Sequence, residues 1–165
     1  MNNIILIGMP GCGKTSLGKE LSRKLKLDFV DVDEYIVKKN NMSIEEMFKK
    51  SEEYFRDKET QAIWELSKLD NTIIATGGGV IKKEENMKLL LNCGYVVFIH
   101  RKPEEIIHTV DISSRPLLKS DSKRIYDLFN ERYELYKKYS NLTIDNSGTF
   151  NEALGNLISM LIDVR

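Results

Sequence analysis

Short apolar runs alternate along the chain with longer stretches whose apolar residues recur at helical spacing. Ile4–Ile7, Phe29–Val32, Thr72–Ala75, Tyr95–Ile99 and Leu142–Ile144 read as five strands. Four of them are continuous or nearly continuous apolar segments, the pattern of strands covered on both faces. Helices are predicted over 14–26, 34–40, 43–69 with a break near Ser51, 84–92, 103–109, 123–139 and 150–163. Ser43 followed by Glu46 fits a capping box, and Pro103 suits a first helical turn. Strands separated by helices must pair in parallel through crossovers. The pattern therefore predicts an α/β fold, a three-layer sandwich around a five-stranded parallel sheet. Segment 110–122 carries little periodicity but much loop chemistry, which makes it a candidate lid.

Composition narrows this picture. A chain of 165 residues, 41% hydrophobic, is expected to form a single domain over 1–165 with its own core. The 25 basic and 25 acidic side chains balance, in both halves of the chain as well as overall. No basic block is set up to bind nucleic acid or a membrane surface. Cys12 and Cys93 make neither a disulfide framework nor a zinc site. With no secretory pattern and no apolar run long enough to span a bilayer, a cytoplasmic location and a monomer are expected.

The first strand runs into Gly8-Met9-Pro10-Gly11-Cys12-Gly13-Lys14-Thr15, which matches G-x-x-x-x-G-K-[ST] at every fixed position. Its small residues let successive backbone N–H groups converge on phosphate oxygens. The helix that follows adds a partial positive charge, worth about 0.3–2 kcal/mol toward an anion. Gly11, Cys12, Gly13, Lys14, Thr15 and Ser16 are the expected ATP-binding residues. Lys14 is expected to reach the β- and γ-phosphates and Thr15 to ligate Mg²⁺, the implied cofactor. Cys12 is either a thiol activated by its setting or a small filler pointing away from the phosphates.

Further chemistry falls at strand ends, where open parallel sheets bind ligands. Asp31-Val32-Asp33 closes the second strand, and alternation puts both carboxylates on one side. One can hold hydrated Mg²⁺; the other can accept a hydrogen bond or a proton from a substrate hydroxyl. Asp33 could also cap the next helix. Gly77-Gly78-Gly79 follows the third strand, permitting close backbone approach and positive φ. Arg56 and Arg132 would make sense together if both faced one anionic group, because guanidinium grips carboxylate bidentately.

In order and spacing the set resembles the shikimate kinases: the P-loop at 8–15, D-V-D at 31–33, F-R at 55–56, G-G-G at 77–79, R-P-L-L at 115–118 and R-x-x-x-Y from Arg132 to Tyr136. The resemblance implies a P-loop fold like that of nucleoside monophosphate kinases, with a shikimate-binding region at about 33–60 and a lid at about 110–122. It implies ATP-dependent phosphorylation of the 3-hydroxyl of shikimate, toward chorismate and the aromatic amino acids. By the same resemblance Asp33 is the candidate base, Arg56 and Arg132 clamp the shikimate carboxylate, and the Gly77–Gly79 backbone supports the ring. Asp31 holds Mg²⁺ through a water, while Lys14 and the lid residue Arg115 serve the phosphates. His108 stands where the family usually has an arginine over the adenine. Gluconate and nucleotide kinases share the P-loop, as would a nonenzymatic nucleotide-dependent module. The D-x-D, the three glycines and the paired arginines favour shikimate as the acceptor.

Overall fold

The computed structural model describes residues 3–109 and 122–162. Five parallel strands form one sheet in the order β2-β3-β1-β4-β5, with β1 at Asn3–Ile7, β2 at Asp28–Asp31, β3 at Thr72–Ala75, β4 at Gly94–His100 and β5 at Leu142–Asp145. Among the described residues, eight helices connect and cover them: α1 Lys14–Leu25, α2 Val32–Asn40, α3 Ile44–Lys50, α4 Glu52–Leu66, α5 Glu84–Cys93, α6 Pro103–Thr109, α7 Ser122–Lys138 and α8 Phe150–Ile162. One 3₁₀ turn, Val80–Lys82, precedes α5.

The strands with the most apolar sequences hold the middle of the sheet. β1 and β3 are buried along their whole length, and so are Val96–Ile99 of β4. Burying side chains of this size is worth about 1.5–3 kcal/mol each, so the sheet centre dominates the core. β2 lies at an edge and is only half-buried. It also stops one residue early. Asp31 accepts a hydrogen bond from the Glu34 N–H at 3.1 Å and so N-caps α2, which begins at Val32. The cap is therefore Asp31, not Asp33.

Local signals set the remaining boundaries. Ser43 and Glu46 form the expected capping box. Ser51, in extended conformation, ends α3 and accepts from the Tyr54 N–H at 2.9 Å to start α4. The predicted break there is observed. Asn3 stitches the lower end of the sheet, donating to the carbonyls of Leu69 and Cys93 and accepting from the Thr72 N–H.

Register decides where chemistry can gather. Leu6 pairs with Ala75, Ile7 with Phe98, Asp31 with Ala75, and His100 with Asp145. The strands thus end together, and Gly8, Val32, Thr76, Arg101 and Asn146 leave the sheet along one edge. Thr76 ties that edge together by donating both its N–H and its hydroxyl to the Leu6 carbonyl, at 3.0 and 2.9 Å.

Candidate active site

The P-loop is built where β1 passes into α1. Gly8, Gly11 and Gly13 all have positive φ, and Gly13, at 102°, is the N-cap of α1. Left-handed backbone at these turns is what a side chain would resist. Lys14 is buried, and its Nζ spans the loop by donating to the carbonyls of Gly8 and Met9 at 2.8 and 2.9 Å. From the far edge, Asn146 donates its side-chain N–H to the Cys12 carbonyl at 2.8 Å. The Cys12 thiol is fully buried beside Gly8 and Lys14, the geometry of a filler.

Two cavities open at this edge. The first, about 510 Å³, is lined by Gly11, Gly13, Lys14, Thr15 and Ser16 of the loop, by Asp31 and Asp33, and by Thr76, Gly77 and Gly78. Arg101 and Thr109 complete it. Thr15 donates its hydroxyl to Asp31 at 2.7 Å, which sets two hard oxygen donors side by side. Such donors suit Mg²⁺, which takes one or two protein oxygens and fills its shell with water and phosphate. Among the described residues no group of three or more His, Cys, Asp or Glu could hold a metal ion.

The second cavity, about 370 Å³, holds Arg56 and Arg132 together, with Gly77, Gly78 and Gly79 on one wall. Both guanidinium groups are nearly buried. Arg56 donates to Glu59 at 2.7 Å and lies over the rings of Phe55 and Phe48 at 5.1 and 5.9 Å. Its Nε lies 3.6 Å from the Glu52 carboxylate, and neither it nor the Arg132 Nε makes a hydrogen bond among the described residues. Burial pushes the Glu59 carboxyl up, opposed by Arg56 and reinforced by Asp33 nearby. Arg56 and Arg132 thus bring two guanidinium groups to one cavity, the planar donors that suit a carboxylate ligand.

The three glycines are needed for space, not for dihedral freedom. None of them has positive φ, contrary to that part of the expectation. A Cβ on Gly77 would meet Asp33 at 3.0 Å and Glu59 at 3.3 Å; on Gly78 it would meet the Pro10 ring at 2.6 Å; on Gly79 it would strike the Arg56 guanidinium. Tyr136, fully buried and stacked on Phe98 with ring centroids 5.0 Å apart, donates its hydroxyl to the Gly78 carbonyl at 2.5 Å. Burial holds its phenol well above the usual range, so it stays a donor.

Asp33 reaches the crevice by a route other than strand alternation, because it sits in the first turn of α2. It lines both cavities, as do Pro10, Gly77 and Gly78. His108 is exposed on the last turn of α6 and lines neither. Cys12 lines neither as well, while Arg115, with nearly all of the 110–122 segment, lies outside the described residues. Sequence reasoning missed Glu59, although it stands three residues after Arg56 on α4. It also missed Arg101, although the strand-end rule applied to β1, β2 and β3 reaches β4 equally.

The family model for shikimate kinase matches residues 10–162. The chain belongs to the shikimate kinase family. A shikimate kinase of Clostridium botulinum (strain Alaska E43) is 46% identical over 162 residues, covering 98% of both chains. The solved structure of shikimate kinase from Acinetobacter baumannii in complex with shikimate superposes with a TM-score of 0.90 at 30% identity, covering 100% of this chain and 95% of the other. That of the Aquifex aeolicus shikimate kinase gives 0.84 at 35% identity, covering 96% and 95%. The five-stranded parallel sheet with helices on both sides is thus the nucleoside monophosphate kinase-like P-loop fold of this family. Among the described residues no helix is long and apolar enough to cross a membrane.

Proposed function

We propose that the two cavities are the donor and acceptor halves of one phosphoryl-transfer site, with Asp33 at their junction. The chain is a kinase that phosphorylates shikimate, a step in aromatic amino acid biosynthesis. The donor is ATP in the P-loop cavity, and the acceptor is the 3-hydroxyl of shikimate in the arginine-lined cavity. The observation that carries this reading is the shared wall: Asp33, Pro10, Gly77 and Gly78 belong to both spaces.

In the transfer, Arg56 and Arg132 take the shikimate carboxylate, and Glu59 holds Arg56 in place. Asp33 accepts the hydrogen bond of the reacting hydroxyl and orients it toward the phosphorus. A loose transition state asks for positioning more than for base strength. Lys14 shifts its donors from loop carbonyls to phosphate oxygens, and Gly11, Gly13 and Ser16 contribute backbone or hydroxyl donors, whereas the Cys12 N–H already donates to the Met9 carbonyl. Mg²⁺, when bound, neutralises charge on the phosphates; Thr15 would hold it directly and Asp31 through a water. Arg115 is assigned to the ATP phosphates on the family resemblance.

ADP release measured with and without shikimate tests the reading. Shikimate-dependent release is expected, whereas dependence on gluconate or a nucleoside monophosphate would replace the acceptor. Asp33→Asn should lower turnover by about 10²-fold or more while ATP still binds. Retained turnover would remove Asp33 from its role.

A further inference from the structure

Arg101 is the first residue after β4, and its backbone is pinned on both sides. The His100 carbonyl accepts from the Asn146 N–H at 2.7 Å, and the Lys102 N–H donates to the Ser147 hydroxyl at 3.0 Å. From that fixed base its side chain lines the P-loop cavity. The Nε is buried without a hydrogen-bond partner, and no described carboxylate pairs with the guanidinium. Other cations of the fold have such partners: Arg56 has Glu59, Lys83 has Asp57, and Lys82 has Glu52. A guanidinium is charged at any physiological pH, and leaving its N–H groups partly out of water without an acceptor is costly. The cavity it faces is one whose loop is made to surround phosphate oxygens.

We infer that Arg101 binds the polyphosphate chain of the nucleotide, as a second cation lining the same cavity as Lys14. This rests on the reading of the P-loop cavity as the ATP site. Its planar fork would grip two phosphate oxygens, with the neighbouring anchors on the β5 loop supplying the rigidity. His108, exposed and off the cavity, does not share this work.

Titrations of ATP, ADP and adenosine into the wild-type chain and Arg101→Gln separate the possibilities. ATP affinity should fall about ten- to a hundredfold in the variant, ADP affinity less, and adenosine affinity not at all, with the KM for shikimate unchanged. ATP affinity within twofold of wild type, or an equal loss on adenosine, would overturn the assignment. Failure of the wild-type chain to bind ATP would instead overturn the reading of the cavity, and the assignment with it. The ¹⁵Nε resonance of Arg101 in the unmodified chain gives a check independent of the variant's folding. It should shift on adding ATP but not adenosine; silence toward ATP would sink the inference.

Discussion

A buried charge is defined by what it would lose. Glu59 is fully buried, with Arg56 as its counter-charge, yet burial still raises its carboxyl above the ordinary range. The folded state therefore keeps this proton when the unfolded chain has already released it. Stability from Glu59 is complete below the unfolded value of about 4.3 and declines as pH rises through the higher folded value. Arg56→Ala removes the opposing cation and should carry that decline to higher pH, while Arg56→Ala with Glu59→Gln should flatten it. Melting temperature followed across pH on the three proteins checks the sign. Arg56→Ala should also raise the KM for shikimate about tenfold or more, since a charge-assisted partner is worth about 1.5–3 kcal/mol. Arg56 was given its role only through the resemblance carried by F-R at 55–56, and its ion pair with Glu59 was not legible. Glutamate three residues from arginine on a helix is usually a surface pair, and only packing shows this one to be enclosed.

Elements carry these residues to one edge, and their ends were easier to read than their depth. The α3–α4 break at Ser51 and the capping box at Ser43 follow from local side-chain to backbone bonds, so a sequence displays them directly. The early end of β2 does not, because Asp31 serves as strand residue, helix cap and Thr15 acceptor at once. Ser51→Ala removes the bond to the Tyr54 N–H at the start of the helix that presents Arg56. It should cost about 0.5–2 kcal/mol and a few degrees of melting temperature, with ATP affinity unchanged in titration. The tri-glycine turn was legible as a place where side chains are not tolerated, but for a partly mistaken reason: space, not positive φ, requires it. Gly79→Ala should displace the Arg56 guanidinium and weaken shikimate binding, leaving ATP binding near wild type; equal losses on both substrates would contradict this separation.

Across the whole molecule, the topology was legible as a class and not as an order. Alternating apolar runs imply a parallel sheet, whereas nothing in their spacing states that the first strand sits at its centre. Amide hydrogen exchange should divide the sheet accordingly, with β1, β3 and the middle of β4 slowest and the edge strands β2 and β5 faster. The bond from Asn146 to the Cys12 carbonyl gives that order a consequence in time. During synthesis the phosphate loop leaves the ribosome early, but its neighbouring strands follow only at residues 72–75 and 94–100, and its last support only at residue 146. A nascent chain halted before that point would carry the whole nucleotide signature and still lack a finished place to put a nucleotide. Competence for ATP should therefore arrive late and nearly all at once, when the fifth strand docks, rather than growing with chain length.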